Sequence, residues 1–545
     1  MLAHMQRATV SEAGAAGDTP VTSTRIKRPT SIAAAHLASG LVIIIAFLIR
    51  WRLARVAQYP GHADAAYYYG LAEALAAGRG FTIDYIWHFL VSHESLTHYA
   101  TDYWVPGTSL VLLLPELLGA EISVANGLRV FAVLGVALSV VTYLLAIRLR
   151  TRGWVPPAAA ATMAVIPGVA MLSGTLESAF PFALLTTASF ALLADRSTRL
   201  PMTILGGVTV GMSHWVRNEG ILILVSALTV FAIQRRPPRN ALAFVGAYAA
   251  TMTPLAILNW QGLGRLWPSS LSHAPWITRY EDLYSIPNQN PAAPGALIDG
   301  DRWSTVPDSF LYSFTTLGTW LTLGAGCIAA WSLVQGIRTG SRYVEARRIR
   351  SSPWLLPATT AVSLYALHLL VTSGVSSGGG LQKSSLALAP AVVIGSSNLL
   401  SRLIRSRGDL ALVPIGIFVV ASMISLPGSF SREVETNNSI GTLQSNLAIE
   451  LAAFTPCPVD EYVVMTRNPW EFNQATGLRT IQIPNESMGT ILDVANRYGV
   501  THIVPDPTRP QISDRAIWAS RSDAYVVETS SGWFVRPVAS DSECR

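Results

Sequence analysis

From residue 33 onward the chain alternates long apolar runs with short polar interruptions. The apolar stretches cover about 33–50, 123–147, 154–173, 177–194, 200–215, 217–233, 241–259, 310–335, 353–373, 385–401 and 409–427. A helix crosses ~30 Å of hydrocarbon with roughly 17–25 residues, so the pattern predicts a polytopic α-helical membrane protein with about eleven transmembrane helices. Pro106 to Leu118 is too short to join them and reads as a helix lying along the interface or re-entering. From about Ser429 the pattern changes. Glu461–Thr466, Thr480–Ile483, Thr501–Val504, Ala524–Val527 and Gly532–Val535 are short β-rich runs, and Met488 to Tyr498 has helical spacing closed by Gly499. Strand, helix and strand in this order predict a small α/β domain outside the membrane. The expected organisation is a disordered cytoplasmic tail at 1–30, a transmembrane domain at 31–428 and an extracytoplasmic α/β domain at 429–545.

Charge orients this arrangement. The net charge is +6, yet lysine is confined to Lys27 and Lys383, and the arginines concentrate in short loops between spans. That is an insertion signal rather than a nucleic-acid footprint. With Pro106–Leu118 left out of the count, Arg148, Arg150 and Arg152 share a side with Arg235, Arg236 and Arg239. The arginines from Arg338 to Arg350 and Arg402, Arg405 and Arg407 join them, and all face the cytoplasm. The N-terminus is then inside and the C-terminus outside, in a cell membrane (inner or plasma). The opposite face collects the loop Tyr59–Pro106, Glu177, Arg217 with Glu219, the loop 260–309, Lys383 and the tail.

Composition agrees: half of the 545 residues are hydrophobic, 13% are charged and mean hydropathy is +0.37. Three cysteines exclude a disulfide scaffold. Cys327 falls in an apolar run, while Cys457 and Cys544 could pair in an oxidising compartment. No phosphate-cradling, dinucleotide-binding or standard metal-ligand spacing occurs. His62, His88, His93 and His98 share the first polar loop and have two readings, helpers in binding a divalent ion or ordinary surface histidines; their spacings fit no standard site, which favours the second.

Candidate chemistry lies on the face opposite the arginine clusters. Asp64 opens a segment in which Tyr68, Leu71, Leu75 and Phe81 form an apolar side, and Glu73 and Arg79 a polar one. This predicts an amphipathic helix. An aspartate there is equally an N-cap or a functional carboxylate at the mouth of a bundle. Glu177 is either a helix-start residue favoured by the macrodipole or a second carboxylate facing Asp64. Arg217-Asn218-Glu219 interrupts an apolar stretch, as an exposed turn or as a bidentate phosphate ligand. Lys383 follows a glycine-rich approach, so it either snorkels from a span end or completes an anion site.

Taken in order, these residues resemble the GT-C membrane glycosyltransferases, in particular the group of protein O-mannosyltransferases and the aminoarabinose transferase of lipid A. The resemblance rests on Asp64 and Tyr68 followed by the Ala/Leu helix ending Gly78-Arg79-Gly80-Phe81. It extends through Trp104-Val-Pro106-Gly107, Glu177, Arg217-Asn-Glu-Gly220 and Asn259 to Pro268, over about residues 30–430. It departs from the group at Ala65, where many relatives carry a second acid, and at Lys383, often His or Arg in relatives.

The resemblance implies a polyprenyl-phosphate-linked sugar donor and an extracytoplasmic acceptor (glycan, lipid or protein). Hexosyl or pentosyl transfer would then proceed with inversion. Asp64 is the implied catalytic base and Glu177 an acceptor-orienting or metal-assisting acid. Arg217 and Lys383 are the implied donor-phosphate ligands, and Tyr68, Asp102, Trp104 and Glu219 the pocket. No cofactor is assigned beyond the candidate of a divalent metal ion. The alternatives are a transporter or flippase of lipid-linked sugars and a non-catalytic envelope assembly protein. A transporter would place charges near the midplane between pseudo-symmetric halves, whereas here they gather at one face.

Overall fold

The structure is a computed structural model that describes residues 29–151, 153–195, 199–268, 273, 277, 280–286, 307, 350–372, 380–403, 412–453, 461–522, 524–529 and 532–537. The expected span 310–335, all three cysteines, Arg152, the arginines from Arg338 to Arg348, and Arg405 and Arg407 lie outside these residues. Among the described residues five helices are long and apolar enough to cross a membrane: Ile32–Val56, Val124–Arg148, Pro238–Leu263, Gly380–Ser401 and Val413–Ala453. Shorter apolar helices include Val155–Val165, Ala179–Leu193 and Gly220–Gln234. Leu37, Leu41, Ile44 and Leu48 of the first helix are exposed along one stripe, the natural condition of a face solvated by lipid.

Close helix contacts depend on small residues. On the helix Leu200–Val216, a Cβ at Gly207 would meet the Phe244 carbonyl at 2.4 Å and one at Gly211 would meet Thr251 at 2.6 Å. This small-xxx-small stripe lets Pro238–Leu263 approach backbone to backbone, where dispersion rather than water exclusion drives association.

Three expectations change. The run 154–173 is two helices, Val155–Val165 and Pro167–Leu172, because Ile166 is extended ahead of a proline that lacks an N–H. The run Pro106–Leu118 is likewise two short helices, Gly107–Leu112 and Leu114–Leu117. Thr108 and Ser109 are buried at its start, and Leu117 and Leu118 are open at its end. Position 429 is no break, since one helix runs from Leu412 to Ala453. Its polar second half clamps the start of the first loop. Asn438 Oδ1 accepts from the Gln58 and Tyr59 amides (2.8 and 3.1 Å), and its Nδ2 donates to Val56 O (2.9 Å).

The C-terminal part forms a sheet with one strand borrowed from the first loop. Its order is β2-β5-β4-β6-β8-β7, where β2 is Tyr85–Ile86 of the first loop. β4 (Val463–Thr466), β5 (Arg479–Gln482) and β6 (His502–Ile503) run parallel, and β2 extends β5 in the same direction. β7 (Ala524–Glu528) and β8 (Trp533–Pro537) are antiparallel neighbours closing the other edge. The helix Met488–Tyr498 is capped by Ser487 and stopped by Gly499 in the left-handed region (φ 64), where glycine carries no Cβ penalty. Ile86, Phe89 and Leu96 enter the core made by Met465, Ile481, Ile491, Ile503, Trp518 and Val535. Each fully buried apolar side chain contributes about 1.5–3 kcal/mol, so the first loop and the C-terminal sheet are one packed unit.

β1 (Thr82–Ile83) and β3 (His98–Tyr99) close a small hairpin on the same loop. The expected helix is Ala63–Ala76, and it is buried more widely than on one apolar side. Ala65 to Tyr69, Leu71, Ala72 and Ala74 are all buried, because the C-terminal helix Pro469–Thr476 covers its outer side and Gln474 donates to Glu73 (2.9 Å).

Candidate active site

Four separated segments meet at one end of the bundle. Asp64 stands in the first turn of Ala63–Ala76 after a tight turn with Gly61 at φ 122. The N-cap of this helix is His62, so Asp64 is not the capping residue. Its Oδ2 instead accepts from Lys383 Nζ at 2.9 Å. Lys383, on the helix Gly380–Ser385, also pairs with Glu177 Oε2 at 3.0 Å. Glu177 is buried at the joint ahead of the helix Ala179–Leu193, and His62 Nδ1 lies 3.7 Å from its other oxygen. One ammonium therefore bridges two carboxylates.

A second cation lies next to it. Arg217 occupies the extended turn between Leu200–Val216 and Gly220–Gln234. Gly220 makes this turn possible: a Cβ there would stand 2.4 Å from the His214 backbone. Arg217 donates to Glu219 (2.7 Å), Ser178 (2.9 Å) and Ser384 (3.3 Å). Ser384 donates to Glu219 at 2.6 Å, and His368 Nε2 approaches Ser384 at 3.1 Å and Glu219 at 3.5 Å. Ser178 follows Glu177 and Ser384 follows Lys383, so neighbouring residues knit the two ion pairs into one network. Arg217 Nε is buried and makes no hydrogen bond among the described residues, leaving a donor for an incoming oxyanion.

Burial by itself would raise the Asp64 carboxyl. The adjacent Lys383, with Arg217 and His62 behind it, more than reverses this and holds it below the usual carboxylate range. Asp64 is thus ionised at neutral pH. Burial and the Asp64 charge push the nearby Tyr68 phenol up, so it stays a neutral hydroxyl beside Ser178 and Arg217.

Asp64, Glu177, Arg217, Glu219, Lys383 and Tyr68, all singled out in the sequence, are brought together. Asp102 and Trp104 are not among their contacts. Trp104 stacks on Trp87 at 4.2 Å and lies 4.7 Å from Tyr67, in an aromatic wall that also includes Tyr103 and Trp470. Asp102 is buried with His88 and His93 and has His98 nearby, so His88 and His93 are not surface histidines. His88, His93 and Asp102 offer ligand atoms within 4.8 Å of one another, a donor set able to hold a metal ion. Burial, helped by His98, pushes His93 down to about 3 and keeps it neutral. Sequence reasoning missed His368, Ser178 and Ser384. The available signal was a histidine inside the apolar run 353–373 and hydroxyls flanking two already selected charges.

No family model and no curated protein matches the sequence. Solved structures do match in shape. The oligosaccharyltransferase of Archaeoglobus fulgidus in its apo form superposes with a TM-score of 0.53 at 14% identity, covering 92% of this chain and 74% of its own. The same organism's AglB, with an inhibitory peptide and a dolichol-phosphate, gives 0.51 at 13% identity, with 92% and 74% covered. ArnT from Cupriavidus metallidurans bound to undecaprenyl phosphate gives 0.54 at 12% identity, with 91% and 97% covered. At such identities the likeness speaks for the fold alone: this membrane protein shares the architecture of these oligosaccharyltransferase and ArnT structures.

Proposed function

We propose that the protein is a membrane glycosyltransferase moving a sugar from a polyprenyl-phosphate-linked donor to an acceptor hydroxyl on the extracytoplasmic side. The observation that carries this reading is the Asp64–Lys383–Glu177 bridge with Arg217 alongside: an ionised acid and two cations within reach of one lipid headgroup. The solved structures of like fold with bound undecaprenyl phosphate or dolichol-phosphate support a polyprenyl donor.

In this mechanism Lys383 and Arg217 bind the donor phosphate. Drawing Lys383 toward the phosphate loosens its hold on Asp64, whose carboxylate then becomes a better base. The acceptor oxygen attacks the anomeric carbon and its proton passes to Asp64. The carbon–oxygen bond to phosphate breaks, and its electron pair leaves on the phosphate that both cations stabilise. Single displacement inverts the anomeric centre. Glu177 keeps Lys383 in place and orients the acceptor, and Tyr68 donates a neutral hydroxyl at the pocket wall. Lys383 supplies the positive charge between the two acids from the chain itself.

The finer topology belongs to the same reading: about eleven spans, with the N-terminus cytoplasmic and the C-terminal sheet extracytoplasmic over the pocket. The test is transfer from a synthetic polyprenyl-phosphate sugar in proteoliposomes. Asp64→Asn should lose transfer while inserting and binding donor normally. Undiminished transfer by that variant would remove Asp64 as the base and the proposal with it.

A further inference from the structure

The buried cluster on the first loop is chemically unlike the pocket. His88 is 1% exposed, His93 8% and Asp102 2%, and the chain brings no lysine or arginine into contact with Asp102 among the described residues. His88 Nε2 stands 3.2 Å from Asp102 Oδ2 and His93 Nε2 3.4 Å from the same oxygen. A charge-assisted N–H···O⁻ bond would close to about 2.7–2.9 Å. Among the described residues neither Asp102 oxygen nor His88 Nε2 makes a hydrogen bond of good geometry, so imidazoles are all that pair with a carboxylate almost wholly out of water. In a zinc tetrahedron with bonds of about 2.0–2.1 Å, ligand atoms lie about 3.3–3.4 Å apart. The two separations to Asp102 Oδ2 match the edges of such a coordination sphere, and all three ligand atoms lie within 4.8 Å of one another.

We infer that His88, His93 and Asp102 form a structural zinc site that locks the first loop onto the C-terminal sheet. Two imidazole nitrogens and one carboxylate oxygen suit Zn²⁺ among the common divalent ions. Zinc on His88 Nε2 requires the proton on Nδ1, so the weak Leu90 amide contact there (3.3 Å) opens by a small ring rotation. The ligands sit where the loop needs holding. His88 follows β2 by two residues, and the His93 carbonyl accepts from Tyr498 Oη (2.7 Å) and Arg497 (3.2 Å) of the C-terminal helix. Asp102 precedes Tyr103, whose carbonyl accepts from Asn218 at 3.3 Å, the neighbour of Arg217. The ion would thus tie the sheet edge to the turn that presents Arg217.

The test uses the full chain in detergent, stripped with chelator, reloaded with zinc chloride and desalted. Metal content should be about one zinc per chain for the unaltered protein, and background only for His88→Ala/His93→Ala. Asp64→Asn should keep its zinc, which separates this site from the pocket. Hydrogen exchange on the unaltered chain gives a readout independent of any variant's folding. Zinc should slow exchange about tenfold or more across 85–90 and 497–498. Background zinc in the reloaded protein overturns the inference. So does unchanged exchange, or zinc lost from Asp64→Asn but retained by the double histidine variant.

Discussion

The pocket and the loop cluster each bury a carboxylate beside histidine, and they solve its charge in opposite ways. Asp64 is compensated from within, by an ammonium at 2.9 Å and a guanidinium behind it. Asp102 meets only imidazoles at 3.2 and 3.4 Å. Internal cations can be lent to an anionic ligand and returned, which suits turnover. A carboxylate that meets imidazole nitrogens and, among the described residues, no lysine or arginine invites a metal that stays. The two also differ in assembly. The pocket draws on residues 64, 177–178, 217–219, 368 and 383–384, whereas the cluster comes from one loop between 88 and 102. The first is a product of the whole bundle, and the second of a local fold held down by a distant sheet.

The sharpest way to break this contrast is at Asp64. Asp64→Asn should lower transfer by about 10²–10⁴-fold, the usual range for a lost general base, with normal membrane insertion. A comparable loss from Asp102→Asn, with the fold intact, would erase the distinction between the two carboxylates. Arg217→Ala should reduce kcat/KM by about 10²–10³-fold, as loss of a charge-stabilising donor does, and Arg217→Lys should recover only part of it. Steady-state kinetics with the polyprenyl-phosphate donor read both.

Ile86→Ala addresses the other region. Ile86 is fully buried in β2, so its truncation should destabilise the loop–sheet unit by about 2–5 kcal/mol. Protease cleavage should then appear in the first loop before any helix is cut.

The smallest effect is on acid stability. Lys383 holds the Asp64 carboxyl below its ordinary range, so this ion pair stabilises the fold fully above about pH 4, the unfolded carboxyl's pKa. The contribution is lost as pH falls through the lower folded value. Asp64→Asn should flatten the fall in melting temperature on that acid side, measured by thermal unfolding in detergent. An unchanged slope would show that Lys383, Glu177, Arg217 and His62 do not couple to Asp64 as their geometry implies.

Much of this molecule is written in local pattern. Apolar run length pointed to apolar helices, five of which among the described residues are long enough to cross a membrane, and the glycine stop at Gly499 ended the helix Met488–Tyr498. Five pocket residues, Asp64, Glu177, Arg217, Glu219 and Lys383, were legible because a charge in apolar surroundings is costly and therefore conspicuous.

Tertiary structure alone decided the rest. The two-residue strand Tyr85–Ile86 carries too little pattern to be recognised until β5 offers it a parallel edge. The burial of Ala63–Ala76 on nearly all sides depends on a helix some 400 residues later. His88, His93 and Asp102 follow no ligand spacing, because a loop folded back on itself sets distances that sequence separation does not encode. Sequence records the chemistry of each residue and its neighbours along the chain, and only the packed chain determines which buried charge finds its cation inside the protein.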